Sequence, residues 1–257
     1  MSEECELPFI RTQPSGSAEV TTNSLRTSTS NVESLEILSK LSGVVIQQRI
    51  NVTEILTSIN MANIYDIYDF TGRLLFVAYE ESSCLCRCCM PSRNGFIMHI
   101  FDENSLQELI RFKRKCKFCC CCTNDCTKLC ACLDCCSEMI SVESPLGHKI
   151  GTVNQICGTK LKFNVCDNSG FMAQIIGPSC CCMGCCTSGF IGNVFKIYDH
   201  QEAIGTIAKK FVGICTQIFT VANVFHIRFP VDMSIEGKIL LLSAIFLVDY
   251  VAFKYAS

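Results

Sequence analysis

Thiols dominate the residues of this chain that could do chemistry. Of its 257 residues 23 are cysteine, and ten of these lie in one segment, CKFCCCCTNDCTKLCACLDCC, at 116–136. A thiolate can bind zinc, form a disulfide or carry a fatty acyl chain. The surroundings of the cysteines therefore have to distinguish three kinds of site.

Disulfides are disfavoured by both compartment and geometry. The first residues, MSEECELPFIRTQPSGSAEV, are acidic and polar, without the basic region and apolar run of a secretory signal, so a reducing cytosolic environment is expected. The runs Cys119–Cys122 and Cys180–Cys182 also place cysteines side by side. Few pairs of adjacent cysteines reach disulfide geometry without strain.

Zinc binding stays open as an alternative. Cys116 and Cys119, like Cys132 and Cys135, have the C-x-x-C spacing of zinc ribbons, and four thiolates would complete a tetrahedral site. The segment holds more cysteines than one such site needs, however, and it contains no histidine. A zinc-binding, cysteine-rich protein is thus a competing hypothesis.

Basic residues immediately before the cysteines favour a lipid anchor. They are Arg111, Lys113, Arg114, Lys115 and Lys117. Anionic lipid attracts each nearby basic residue with about 1 kcal/mol, and each buried acyl CH₂ adds about 0.8 kcal/mol. Acyl chains and a basic patch together would form a two-signal anchor. We therefore predict that these five residues are membrane-proximal.

Motifs of bond-making chemistry are missing from the sequence. It contains no P-loop, no G-x-G-x-x-G and no G-x-S-x-G elbow. The four histidines fall in or beside predicted strands, so no catalytic constellation is expected and an enzyme is not predicted. Since the formal net charge is only −2, nucleic acid is not an expected partner.

The elements that position these residues are mainly strands. Residues 1–33 are predicted to form a disordered Ser/Thr-rich tail, and ESLEILSKLSG a short helix that stops at Gly43. Beyond it, apolar residues recur with a period of two between Asp-, Asn- and Gly-containing turns. The predicted strands are 44–49, 64–69, 73–80, 95–101, 107–113, 137–143, 148–156, 159–166, 171–176, 189–198, 202–209 and 223–229. We predict an all-β, mostly antiparallel fold, a closed barrel of roughly twelve strands.

The chain ends in a hydrophobic helix, predicted at 234–255. Its apolar stretch, Ile239–Phe253, is shorter than the roughly 20 residues of a membrane span, and Asp249 would be costly at mid-bilayer. A helix that is apolar all round lies either in a protein core or in lipid. A twelve-stranded barrel needs a filled lumen. A central helix is therefore expected, with a single-pass C-terminal span as the alternative.

From about Leu35 to its end the chain resembles the phospholipid scramblases. The shared motifs, in order, are VVIQQ at 44–48, CRCCMPSR at 86–93, SPLGHKIGTVNQ at 144–155, IGPSCCCMGCC at 176–186, VGICTQIFTVANVFHIRFPVDM at 212–233 and LLLSAIFLVDYVAF at 240–253. The resemblance implies one domain, 34–257, with a tubby-like barrel of twelve strands around the C-terminal helix. It includes the cysteine-rich segment.

The resemblance also implies sites. In scramblases the cysteine-rich segment carries palmitate, which makes Cys119, Cys120, Cys121, Cys122, Cys132, Cys135 and Cys136 the candidates for S-acylation. Scramblases also carry a calcium loop before the last helix, at Val221–Asp232 here. Only Asn223 and Asp232 remain as ligands in this degenerate loop, while calcium takes six to eight oxygens. Ca²⁺ is thus implied by resemblance alone.

The expected function follows from the same resemblance. It is ATP-independent, bidirectional movement of phospholipids between leaflets, by a protein at the cytoplasmic face of the plasma membrane in contact with the anionic inner leaflet. The alternative is a palmitoylated inner-leaflet binding or adaptor module without transport activity. Lipid flip-flop in liposomes separates the two.

Overall fold

The computed structural model describes nine stretches of the chain. They are residues 34–49, 62–83, 95–115, 137–158, 160–177, 194–199, 201–210, 223–230 and 232–253. The predicted tail, most of the cysteines and residues 221, 222 and 231 of the calcium-like loop lie outside these stretches.

Two helices and twelve strands form the described part of the chain. Helix α1 covers 34–40, helix α2 covers Ile235–Val248, and a π-helical turn, Asp249–Phe253, continues α2. The strands are β1 Gly43–Gln48, β2 Ile64–Tyr68, β3 Leu74–Glu81, β4 Phe96–Asp102, β5 Glu108–Arg114, β6 Met139–Glu143, β7 Lys149–Ile156, β8 Lys162–Asp167, β9 Gly170–Ile176, β10 Val194–Asp199, β11 Glu202–Lys210 and β12 Val224–Arg228. Each overlaps one predicted strand.

The strands close into an antiparallel barrel. Each pairs with its neighbours in sequence, and β12 pairs with β1, where Val44 lies opposite Ile227. Along β4 buried and half-buried residues alternate, because successive side chains of a strand point to opposite faces. The predicted all-β barrel is confirmed.

Antiparallel order gives the barrel two different ends. At the turn end, short turns join β2 to β3, β4 to β5, β6 to β7, β8 to β9 and β10 to β11. We call the opposite end the connection end. The remaining links between consecutive strands start there, and most of them are longer than the turns. All cysteines except Cys5 and Cys166 belong, by sequence, to links at the connection end.

Aspartates shape the turn end. The Oδ1 atom of Asp69 accepts hydrogen bonds from the backbone N–H groups of Thr71 and Arg73. Asp167 accepts from Ser169 and Gly170 in the same way. These bonds, with those from the Thr71 and Ser169 hydroxyls, lower the pKa of both aspartates. The predicted turn chemistry is confirmed here.

Gly43 has a different role from the one predicted. Helix α1 ends at residue 40, and Gly43 is the first residue of β1, so the predicted helix stop at Gly43 is wrong. A Cβ at this position would lie 2.1 Å from the carbonyl oxygen of Ile227 and 2.6 Å from the Phe70 ring. Glycine is required by the close approach of β12.

Helix α2 fills the barrel lumen. Every residue from Gly237 to Val248 is buried, and the helix packs mainly against β6, β7 and β8. Phe246 contacts the rings of Tyr65 and Phe112 from inside. The predicted central helix is confirmed, and it begins after its N-cap, Ser234.

No helix in the described stretches combines the length and apolar character needed to cross a bilayer.

Lys238 connects α2 to α1 at the turn end. Its side chain is 1% exposed, and its Nζ donates hydrogen bonds to the backbone carbonyls of Leu38, Ser39 and Leu41 at 2.9–3.0 Å. Burial lowers the pKa of Lys238. Since the last carbonyls of a helix lack partners within the helix, this ammonium serves as a cap for α1.

Candidate functional site

The connection end of β5 and β6 borders the segment that the sequence singled out for membrane contact. Lys115 and Ser137, which flank the segment 116–136, lie at this end of β5 and β6. The seven acylation candidates are outside the described residues, and so is Lys117. Of the five predicted membrane-proximal basic residues, four can therefore be located.

Two of these four, Arg111 and Lys113, form ion pairs with carboxylates on the outer surface. Arg111 donates to both carboxylate oxygens of Glu108 at 2.7 Å, and Lys113 donates to Glu143 at 2.6 Å. Burial alone would raise the pKa of Glu108, but the hydrogen bonds from Arg111 and His99 outweigh it, and the pKa is lowered. Each cation already has a carboxylate partner.

Arg114 points into the barrel. Its side chain is fully buried, and it pairs with Glu138 at 2.8 Å. Its guanidinium lies 3.7 Å from the centroid of the Tyr250 ring, in the π-helical turn. Arg114 therefore links the end of the central helix to β5. Of the four predicted basic residues that the structure describes, only Lys115 is exposed.

The structure does not bring the two remaining calcium-loop residues together. Asn223 precedes β12 at the connection end, where its side-chain amide donates to Gln48 at 2.7 Å. Asp232 follows β12 beyond its other end. Five strand residues alone span roughly 15 Å, whereas calcium ligands lie about 2.3–2.6 Å from the ion. These residues do not fit one calcium site.

Among the described residues, no cluster of three or more His, Cys, Asp or Glu side chains could hold a metal ion. The cysteines proposed as zinc ligands lie outside those residues.

A second buried ion pair, between Lys209 and Asp249, lies at the connection end. The Lys209 Nζ lies 3.7 Å from the Asp249 Oδ1, and the Tyr65 hydroxyl donates to the Asp249 Oδ2 at 3.4 Å. The side chains of Lys209 and Asp249 are 7% and 9% exposed. Asp249, which made a membrane span costly, thus meets a cation from β11 and a hydroxyl from β2.

Aromatic rings complete the surroundings of Lys209. Its ammonium lies 4.2 Å from the ring centroid of Phe253 and 5.3 Å from that of Phe225. Burial lowers the pKa of Lys209, and Asp249 opposes this shift without cancelling it. Rings and carboxylate together stabilise a cation inside the wall of the barrel.

Sequence reasoning missed both buried charge clusters. The partners Lys209 and Asp249 are 40 residues apart in the sequence. They meet because the helix that ends at Asp249 lies inside the barrel. For Arg114 a signal existed, because it is two residues from the apolar Phe112 and therefore faces the same side of β5. The run of basic residues concealed that alternation.

Comparison with known proteins identifies the family. The profile described as Scramblase matches residues 21–255, nearly the whole chain. The chain belongs to the scramblase family. Human phospholipid scramblase 1 is 33% identical to this chain over 225 residues, covering 86% of this chain and 65% of the human protein. Bovine phospholipid scramblase 2 is 31% identical, covering 86% and 71%.

A more distant member of the family covers the same share of this chain. Human phospholipid scramblase family member 5 is 28% identical over 229 residues, covering 86% of this chain and 78% of its own. The chain thus spans about two thirds of the length of the first relatives it matches, 65% for the human scramblase 1. No solved structure gives a significant match.

Proposed function

We propose that this chain is a membrane-associated phospholipid scramblase that moves phospholipids in both directions between leaflets without ATP. The observation that carries the proposal is the scramblase family match across residues 21–255. Passive movement breaks and forms no covalent bond, so the proposal requires no catalytic residues. Relatives named phospholipid scramblase support the lipid class.

The packing of the barrel restricts how such movement would occur. Helix α2 occupies the lumen, and the buried side chains of Phe112, Phe163 and Phe225 surround it. A polar headgroup cannot enter this packed interior without displacing the helix. The proposed movement therefore takes place outside the lumen, where the chain meets the bilayer.

Flip-flop in liposomes tests the transport proposal. The purified full chain is reconstituted into vesicles with a fluorescent phospholipid in both leaflets, and a membrane-impermeant quencher reports how fast inner-leaflet lipid appears outside. Faster flip-flop than in protein-free vesicles is expected, measured with and without calcium. A rate equal to that of protein-free vesicles under both conditions would overturn transport and leave the adaptor function.

S-acylation is the proposed anchor. The candidates are Cys119, Cys120, Cys121, Cys122, Cys132, Cys135 and Cys136. The flanking residues Lys115 and Ser137 lie together at the connection end, which supports a common site of attachment. One acyl chain gives only marginal membrane binding, whereas several chains give a stable anchor.

Hydroxylamine tests the anchor because it cleaves thioesters. Treatment of membranes from cells that express the chain should move most of it to the soluble fraction. Replacing the seven cysteines by serine should have the same effect and leave thermal unfolding of the barrel unchanged. Loss of bound zinc together with lower stability in that variant would support a metal site instead. Membrane retention after verified deacylation would refute the acyl anchor.

A further inference from the structure

Two lysines on the outer wall have no ion-pair partner among the described residues. Lys162 on β8 and Lys196 on β10 both lie opposite Ile176 of β9, at the connection end. With about 4.8 Å between neighbouring strands, their Cα atoms are roughly 10 Å apart. Lys162 is half-buried and Lys196 is exposed, and Lys160, which precedes β8, is exposed too. The register thus brings Lys196 close to two lysines from a distant part of the sequence.

Apolar side chains lie between these cations. Ile176 separates Lys162 from Lys196 and is half-buried, while Val194, two residues from Lys196 on the same face of β10, is 47% exposed. We name Lys160, Lys162, Ile176, Val194 and Lys196 the lysine face.

The lysine face differs from the wall formed by β3 to β6. There, His99 lies 2.8 Å from both Glu81 and Glu108, and the cations of that wall are paired with carboxylates as described above. Two residues farther toward the turn end, β8 and β9 carry side-chain amides rather than an ion pair, and the Gln174 amide donates to Asn164 at 3.0 Å. The first carboxylates along β8 and β10, Asp167 and Asp199, lie at the turn end.

Lysines without an ion-pair partner in the described stretches, next to the half-buried Ile176 and the exposed Val194, match the chemistry of an anionic bilayer. Lysine ammonium groups attract acidic headgroups, their alkyl stems lie along apolar surface, and aliphatic side chains enter the interfacial region. The turn end is less suited to such a surface, because Glu103 and Asp232 are exposed there.

We propose that the lysine face is a docking surface for anionic phospholipid, which orients the barrel with its connection end toward the bilayer. This inference rests on the membrane association in the proposed function and adds residues outside the cysteine-rich region. The orientation agrees with the proposed acyl anchor, because the links that by sequence hold most of the cysteines leave the same end of the barrel.

Binding to vesicles tests the charges. The full chain, purified without acyl groups, is mixed with phosphatidylcholine vesicles that contain about 30 mol% phosphatidylserine. Because each lysine near such a surface contributes about fivefold to binding, Lys162→Gln with Lys196→Gln should weaken it roughly 25-fold. The matched control is Lys40→Gln with Lys149→Gln, which removes the same charge from exposed residues at the turn end.

The control should bind within about twofold of the wild type, because charges far from the surface are screened. Equal weakening by both double variants would reduce the effect to net charge and overturn the docking surface. Unchanged binding by the Lys162 and Lys196 variant would also overturn it. Thermal unfolding of both variants shows that they are folded.

Tryptophan fluorescence tests the orientation independently of charge. The chain contains no tryptophan, so a single introduced residue reports its own surroundings. Val194→Trp on the lysine face should shift its emission to the blue when phosphatidylserine vesicles are added, and brominated lipid should quench it. Leu146→Trp, at an exposed site of the turn end, should not respond. A response of Leu146→Trp alone would reverse the orientation and refute the proposal.

The outcomes separate docking from transport. A chain that binds through the lysine face without accelerating flip-flop would overturn the transport proposal and leave docking intact. A chain that accelerates flip-flop equally with and without Lys162 and Lys196, and binds vesicles equally, would overturn docking and leave transport intact.

Discussion

Among the described residues, each end of the barrel holds one buried lysine, and the two are stabilised in different ways. At the turn end, three backbone carbonyls surround the Lys238 ammonium at hydrogen-bond distance. At the connection end, the Lys209 ammonium has a carboxylate at 3.7 Å and two aromatic rings. Burial lowers the pKa of both lysines.

The difference shows how the central helix is fixed at its two ends. Lys238 forms three short hydrogen bonds to the backbone of one segment, so its position is determined by geometry. Lys209 faces Asp249 at a longer distance and depends on charge and ring contacts, which tolerate small displacements. We infer that α2 is held more tightly where it enters the barrel than where it ends.

The largest expected effect is at Lys238. Lys238→Met keeps most of the apolar stem but removes all three hydrogen bonds, leaving buried carbonyl oxygens at the end of α1 with fewer donors. We expect a loss of about 3 kcal/mol in the free energy of unfolding, measured by chemical denaturation.

Lys40 provides the control for Lys238. It lies on α1 close to the same carbonyls but is exposed, so Lys40→Met should change the free energy of unfolding by less than about 0.5 kcal/mol. If Lys238→Met were as stable as the wild type, the desolvation cost of the ammonium would equal its hydrogen-bond gain, and the inferred difference between the two ends would disappear.

A smaller effect is expected at the connection end. Lys209→Met removes the cation beside the buried Asp249 and should cost about 2 kcal/mol. Adding Asp249→Asn should recover part of this loss, because the neutral amide is cheaper to bury than a carboxylate without its cation. A double-mutant cycle on the free energies of unfolding measures the coupling. Strictly additive effects would show that the 3.7 Å pair contributes nothing.

The stability lost in Lys209→Met should depend on pH, which gives a second way to compare the two buried lysines. Since burial lowers the pKa of Lys209, the unfolded chain binds this proton more tightly than the folded chain does. The stability of the wild type relative to Lys209→Met should therefore increase as the pH rises from the folded-state pKa toward the ordinary lysine value. It should fall again as the pH is lowered.

Thermal unfolding of both proteins between about pH 7 and pH 10 measures this difference. If the stability difference between the wild type and Lys209→Met became smaller with rising pH, attraction to Asp249 would outweigh burial. The pKa of Lys209 would then be raised, unlike that of Lys238.

The sequence predicted what depends on neighbouring residues. Alternation in FIMHIFD is enough to define β4, and the position of Asp69 is enough to define a turn, because both depend on local geometry. The central helix could also be predicted, since a run that is apolar all round requires an interior.

Contacts between distant residues could not be predicted in the same way. Lys162 and Lys196 become neighbours only through their shared partner Ile176, and a register cannot be read from two isolated lysines. Gly43 has the ordinary signature of a helix stop, whereas the contact that requires glycine comes from Ile227, far along the chain. In each case the missing information was which strands are adjacent.

The smallest expected effect is at a turn rather than in the core. Leu106, between β4 and β5, is 75% exposed and has a φ of 53°, in the left-handed region that leucine rarely adopts. Asparagine is tolerated there much better, so Leu106→Asn should raise the free energy of unfolding by about 0.5 kcal/mol, a rise of roughly 1–2 °C in Tm.

Leu146 is the matched control for Leu106. It is another exposed leucine of the turn end, 41% exposed, but it is not among the described residues with positive φ. Leu146→Asn should therefore give no gain, because no backbone strain is relieved. A gain limited to Leu106→Asn would show that the backbone at this turn is strained. A loss there would mean that the leucine makes contacts worth more than the strain, and the turn end would then be better packed than its exposure indicates.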